Sequence, residues 1–358
     1  MSTPQDTTQY QSQSKGSRTI LVVRFGAMGD LLHVSPSIAA LKESNPEVRV
    51  HFLTSPLYGE LVGTFSGVDR VWTFDKKTGL PGLFQLAQAL NEACPQLDSL
   101  INLHPSLRTF LLTMLLQPVK SAVYRKEKLR ILGLETRNQT RRHAIEDFSV
   151  PFQRIYPDLP ALSMPALPLE KIKKHGFAIG IVPGVGAKRG NRSWSVAYYE
   201  TLIKALLDDG NGFDPLRIHL FGGPDELSIC QNLHKQFENH PIENHCAQYS
   251  ILETAHAMTG CDVLLAGDTG PLHLAAATGI QVLGLFGPTS PNRTGPRGLG
   301  ACESLTPDET LTCWPCEKPV CPLSGEMTDA CMLSITPERV LNRLKTIHKQ
   351  LVLQRPAD

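Results

Sequence analysis

Ile20-Leu21-Val22-Val23-Arg24-Phe25-Gly26-Ala27-Met28-Gly29-Asp30 passes from an unbroken apolar run into a glycine turn that ends on a carboxylate. The run reads as a buried parallel strand, and Leu31–Lys42 has the spacing of the helix that follows it. A second stretch has the same form in the other half of the chain: Val263–Ala266, then Gly267-Asp268-Thr269-Gly270-Pro271. Strand-to-helix loops of this kind aim backbone N–H groups and side chains at a ligand in parallel α/β domains. Two of them, in separate halves, predict a cleft with chemistry from both walls.

Working outward, Val48–Leu53, Val71–Phe74 and Ser99–Leu103 read as further strands of the first half, with helical spacing over Leu83–Ala93. Pro151, Pro157, Pro160, Pro165 and Pro168 then crowd together, a density expected to exclude helix and central strand and to mark the join between domains. The alternation restarts at Phe177–Val182 and continues through a helix at Val196–Leu207 and a strand at Leu216–Phe221. Helices after Pro224 and at Ile251–Met258 follow, then strands at Asp262–Ala266 and Gln281–Phe286. Thr336 and Pro337 suit the cap and first turn of a last helix. The expected fold is α/β: two facing Rossmann-like domains with a C-terminal helix closing the structure. The expected boundaries are 1–17 for a polar, disordered tail, 18–165 for the first domain, 166–176 for the linker, 177–335 for the second domain and 336–358 for the final helix and tail.

At 358 residues the chain exceeds the size at which one core stops growing, which agrees with two domains. A net charge of +1 leaves no global field for nucleic acid, and none is expected as a partner. Locally, Lys120–Arg142 carries eight cations (Lys120, Arg125, Lys126, Lys128, Arg130, Arg137, Arg141, Arg142) against Glu127 and Glu135. That stretch reads most simply as a solvated helix face and loop; it also suits an anionic acceptor or a membrane surface. No apolar run reaches the length of a bilayer span and the N-terminus has no signal-peptide core. The expected location is therefore cytoplasmic, with peripheral contact at the inner face of the membrane in view.

Gly26-x-x-Gly29-Asp30 is neither a Walker loop nor the dinucleotide fingerprint. A carboxylate at a helix start would repel a phosphate but is kept ionised there. Asp30 can therefore accept a hydroxyl proton as that hydroxyl attacks an electrophile, or simply cap its helix. The other loop suits phosphate: Thr269, the Gly270 N–H and the helix start behind them can cradle a diphosphate. Asp268 could hold sugar hydroxyls, and His273 is either a further donor or a packed core histidine. In Pro183–Trp194, Lys188, Arg189 and Arg192 follow a strand end, as groups neutralising a diphosphate leaving group would. Just past another strand end stand Asn102, His104 and Arg108, which with Gly29 are the acceptor-side candidates.

Cys94, Cys230, Cys246, Cys261 and Cys302 are scattered and read as small buried hydrophobes. Cys313, Cys316, Cys321 and Cys331 form a compact set in a proline-bearing loop. Four thiolates so spaced can close a structural zinc or iron site; unliganded packing thiols and redox chemistry are the alternatives.

Taken together, Ile20–Leu41, the Pro183–Trp194 loop, Leu220-Phe-Gly-Gly-Pro-Asp225, Asp268-Thr-Gly-Pro-Leu-His273 and Leu285-Phe-Gly-Pro-Thr-Ser-Pro291 resemble glycosyltransferase family 9, the ADP-heptose:lipopolysaccharide heptosyltransferases. The resemblance implies a GT-B fold, with an acceptor domain first and a nucleotide-sugar donor domain second. It implies inverting transfer of a heptose from ADP-heptose to the lipopolysaccharide inner core or a lipid A precursor, with no metal or other cofactor required for catalysis. Carried over, Asp30 is the general base, Arg192 contacts the donor diphosphate with Lys188 a further candidate, Asp268 meets the heptose, Thr269 and Gly270 meet the phosphates, and His273 supports them. A GT-B enzyme with another nucleotide sugar or a protein acceptor, and a catalytically silent nucleotide-sugar binder, are the competing readings. A nicotinamide oxidoreductase fits least, since the dinucleotide fingerprint is missing.

Overall fold

A computed structural model describes residues 18–124, 130–131, 134–135, 142–174, 176–186, 190–213, 215–308 and 311–354. The first half runs β1 (Thr19–Val23), α1 (Met28–Ser44), β2 (Arg49–Thr54), α2 (Gly59–Gly63), β3 (Arg70–Thr73), α3 (Gly79–Ala93), β4 (Ser99–Asn102), α4 (Leu107–Leu116) and β5 (Lys120–Val123). Its strands form one parallel sheet in the order β3-β2-β1-β4-β5. A small antiparallel pair, β6 (Arg130–Ile131) with β7 (Leu134–Glu135), and α5 (Ala144–Ile155) follow. The continuous apolar character of β1 is explained by its place at the centre of that sheet, covered on both faces.

The second half runs β8 (Phe177–Val182), α6 (Val196–Leu206), β9 (Leu216–Leu220), α7 (Leu227–Gln236), β10 (Ile242–Asn244), α8 (Ile251–Met258), β11 (Val263–Gly267) and α9 (Gly270–Ala277). It ends with β12 (Gln281–Leu285), α10 (Pro291–Thr294), β13 (Cys302–Leu305), α11 (Ala330–Leu333) and α12 (Pro337–Gln354). The second sheet is also parallel, in the order β10-β9-β8-β11-β12-β13. Both sheets thus reverse strand order once, between β1 and β4 and between β8 and β11. The two expected α/β halves are present, and α12 lies on the second one: Val340, Leu344 and Ile347 enter its core beside α6.

One expectation is corrected. Pro151 lies inside α5, not in a linker. Its ring costs the bond to the Asp147 carbonyl. Burial of Phe148 and Phe152 against α1 holds the helix regardless. Extended chain begins only after Tyr156, and Leu167 N–H donates to Ala277 O (2.8 Å), tying that segment to α9. Elements not expected from the sequence include α2, α4, β5, β10 and β13.

The halves are not separated by an open gap at this level. One apolar cluster runs from β1, α1 and α5 into α8, α9 and β12, and includes Ile38, Phe152, Met258 and Leu272. Helix α1 is buried almost all round, including Ser35 and Ser37, because the sheet, α5 and α9 all touch it.

Candidate active site

In open parallel sheets ligands bind beyond the carboxyl ends of the strands where the order reverses. Here those ends are followed by Arg24–Asp30 after β1, Leu103–Arg108 after β4, Pro183–Arg192 after β8 and Asp268–His273 after β11. Apart from Asn102, the last residue of β4, the candidate catalytic, donor-side and acceptor-side residues stand in these four segments.

The two glycine loops meet. A Cβ on Gly29 would lie 2.6 Å from His273 Cδ2, so only glycine lets the α9 histidine ring lie against α1. One on Gly270 would stand 3.1 Å from Met28 Cβ. Gly26 has φ +135°, and a side chain there would strike Tyr58 at 2.8 Å. These contacts bring the carboxylate loop of one half and the phosphate-type loop of the other to one place.

Asp30 sits in the first turn of α1 with its side chain about one-third exposed. Its Oδ2 is paired with Arg24 Nη2 and accepts a 3.3 Å bond from the Ala27 N–H. Oδ1 has no hydrogen-bond partner among the described residues and remains available to a ligand. Arg24 is held in turn by donating from Nη1 to Leu103 O (2.5 Å) and by lying over the Phe148 ring (4.8 Å). His104 stands beside this pair; burial first, then Arg24 and Lys76, push its pKa down to about 4, so the ring is neutral at neutral pH. Its edge meets Phe25 (5.3 Å), over which Lys76 Nζ also sits (5.2 Å). Asn102 is buried and accepts from the His104 N–H (3.0 Å), shaping the turn; Arg108 is exposed at the start of α4.

On the opposite wall Arg192 donates to Asp268 Oδ2 (2.6 Å), which also accepts from Thr289 (2.9 Å). Asp268, Thr269 and His273 are all buried. His273 Nε2 faces Asp268 Oδ1 at 4.0 Å. Asp268 thus holds Arg192 in place. Lys188 lies outside the described residues, as do most cations of the Lys120–Arg142 stretch. Glu226, not singled out from the sequence, joins the loop after β8 to the loop after β9 by accepting from Gly186 N–H (2.8 Å) and Gly223 N–H (2.9 Å).

Arg24 and Thr289 were likewise missed, although a cation at the end of an apolar strand was a readable signal for Arg24. Behind the loops, His273 meets His33 edge-on (4.8 Å) and His33 meets His143 (5.1 Å). His33 is buried with neither ring nitrogen hydrogen-bonded among the described residues, and burial drives its pKa well below the usual histidine range. Burial likewise lowers His143 to about 4.

The four clustered cysteines line one cavity with Asn191, Pro288, Trp314 and Asp329. All are free thiols, and no three of the sulfurs lie within 4.8 Å of one another. The loop that carries them braces the site: Asn191 Nδ2 donates to Lys318 O (2.7 Å), Glu317 N–H donates to Pro288 O (2.8 Å), and Arg293 pairs with Glu317. Cys94, Cys230, Cys246 and Cys261 are buried as expected, and Cys302 partly so.

Residues 83–324, more than half of the chain, match the family model of glycosyltransferase family 9 (heptosyltransferase). The chain is similar to lipooligosaccharide heptosyltransferase 2 of Campylobacter jejuni. In one strain it is 28% identical over 174 residues, 48% of this chain and 51% of that protein. In another it is 23% identical over 337 residues, 89% of this chain and 96% of that protein. Among solved structures, ADP-heptose LPS heptosyltransferase II of E. coli superposes with a TM-score of 0.72 at 19% identity, covering 93% of this chain and 99% of that one. The likeness extends over both α/β halves, as a GT-B fold requires.

Proposed function

The chain belongs to glycosyltransferase family 9, the heptosyltransferases, and from that premise we propose that it moves a heptose from ADP-heptose to the inner core of lipopolysaccharide with Asp30 as general base. The observation that carries this reading is the contact of Gly29 with the His273 ring, which sets a carboxylate with a free oxygen opposite a diphosphate-type loop. The acceptor hydroxyl attacks the anomeric carbon from the face opposite ADP. Its proton passes to Asp30 as the new C–O bond forms, and the bond to the diphosphate breaks with its electron pair leaving on ADP. The growing charge on that oxygen faces Arg192, the Gly270 N–H and the start of α9. Asp268 acts on the reaction through Arg192, and Arg24 acts through Asp30. Contact between the two loops helps keep water, a competing acceptor, from the reacting carbon.

The acceptor would arrive along the β4–α4 side, past His104 and Arg108. There α4 turns Leu107, Phe110 and Met114 outward, 84%, 62% and 58% exposed, beside Leu80 and Phe84 of α3. An apolar row with cations beside it suits the surface of an anionic bilayer, and none of the described helices is long and apolar enough to cross one. Peripheral contact at the cytoplasmic face of the membrane is the location this reading implies.

For the cysteine loop we propose a structural zinc or iron ion held by Cys313, Cys316, Cys321 and Cys331. Their chemistry fits such an ion, and the Asp329 N–H already donates to Cys321 Sγ (3.3 Å), but the sulfurs must draw together around it. The ion would hold the loop that braces Asn191, next to Arg192. Metal analysis of the purified chain should find that Cys316→Ser lowers the metal content by about one ion per chain; equal metal content in wild type and variant contradicts this.

The functional reading is tested by incubating the protein with ADP-heptose and a heptose-deficient lipopolysaccharide core. Mass spectrometry should show the core gain one heptose. No gain despite retained ADP-heptose binding would exclude that acceptor, and no binding would overturn the donor assignment.

A further inference from the structure

Away from the cleft, on the outer edge of the second sheet, two histidines and a glutamate converge. Residues 219 and 243 are register partners on β9 and β10, and residue 245 lies two positions further on, so all three side chains stand on one face. His219 Nδ1 lies 3.0 Å from His245 Nε2. Glu243 Oε2 lies 3.7 Å from the first nitrogen and 3.5 Å from the second. Zinc bonds of about 2.0–2.1 Å place neighbouring tetrahedral ligands about 3.3 Å apart. The observed triangle therefore needs only small adjustments to seat such an ion.

The surroundings suit the role. Both histidine side chains are largely buried, each 16% exposed, and their rings are stacked at 19°. Tyr249 Oη lies 3.4 Å from His245 Nδ1, which leaves Nε2 turned toward the other two ligands. Arg217 takes the other glutamate oxygen, Oε1, at 3.5 Å, leaving Oε2 for the ion. This is the arrangement by which outer groups orient metal ligands.

We propose that His219, Glu243 and His245 form a second cation site, for zinc or a similar divalent transition metal, with water in the fourth position. Its effect would be structural. Strand β10 has three residues and lies at the sheet edge; the ion would fasten it to β9. The Ala247 N–H just beyond donates to Gly222 O (3.0 Å), and Cys246 Sγ contacts Gly223 O (3.3 Å), so the fastening reaches the glycine loop that holds Glu226.

Cobalt(II) distinguishes this site from the cysteine loop, because thiolate ligation produces a sulfur-to-metal charge-transfer band and imidazole–carboxylate ligation does not. The chelator-treated full chain, titrated with cobalt(II), should show a visible d–d spectrum without that band in a Cys316→Ser background. His219→Ala should abolish it. Glu243→Gln, a change at a half-exposed side chain that leaves the fold alone, should weaken it at least as much as Tyr249→Phe, about tenfold. Absence of a d–d spectrum in the Cys316→Ser background, or one unchanged by both His219→Ala and Glu243→Gln, would overturn the proposal in favour of a hydrogen-bonded histidine pair.

Discussion

Asp30 owes its position to glycines more than to its own contacts. Gly26 permits the turn, and Gly29 leaves room for a ring from the other half of the molecule. The placing of glycines after apolar strands made both loops legible, although only Gly26 has a forced backbone and the contacts of Gly29 and Gly270 are made by the other half. Thr289 and His33 were not legible, since their meaning depends on partners brought in by the fold, Asp268 and His273. Gly29 offers a direct check at this scale. Gly29→Ala places a methyl group in the His273 ring and should destabilise the protein by about 1–3 kcal/mol, a Tm loss of several degrees. Donor affinity should fall with it, because His273 stands beside Asp268. An unchanged melting temperature would mean that the two loops are not in contact.

Among the elements, strands were legible wherever burial on both faces left an unbroken apolar run, as in β1, β8 and β11. Helix α5 was obscured because tertiary burial of Phe148 and Phe152 outweighs the cost of Pro151. Helix α4 was obscured because Leu107, Phe110 and Met114 face outward while Leu112 and Leu116 enter the core, so apolar residues stand on both faces and blur its pattern. That outward row should bind lipid. Vesicles rich in anionic phospholipid should retain the protein in flotation, and Phe110→Ser combined with Met114→Ser should release it with transfer to a water-soluble core fragment unaffected. Equal retention of wild type and variant would remove α4 as the docking face.

At the scale of the whole molecule, histidines set the response to acid. His51 and His143 are held neutral with pKa values of about 4, and His33 is also strongly lowered, in each case chiefly by burial. The unfolded chain takes up these protons near pH 6.5, before the folded one does. Their contribution to stability is complete above about pH 6.5 and is lost progressively as the pH falls toward about 4. Each fully buried group should cost about 2 kcal/mol between about pH 7 and pH 5. Denaturant midpoints measured across that range should drop steeply, and a flat profile would show that these rings are not buried neutral. Since His33 and His143 lie where α1, α5 and α9 meet, contact between the halves should weaken over the same range. The pairing of the halves was foreseen from two loops, whereas the shared apolar cluster that joins them was not, because residues such as Ile38 and Leu272 look like any core positions until their neighbours are known. The central claim, that Asp30 takes the acceptor proton while the second half holds the donor, is tested most directly by comparing wild type with Asp30→Asn for both heptose transfer and ADP-heptose binding. Turnover should fall by about 10²- to 10⁴-fold while donor affinity stays within a few-fold; full turnover in the variant would contradict that role for Asp30.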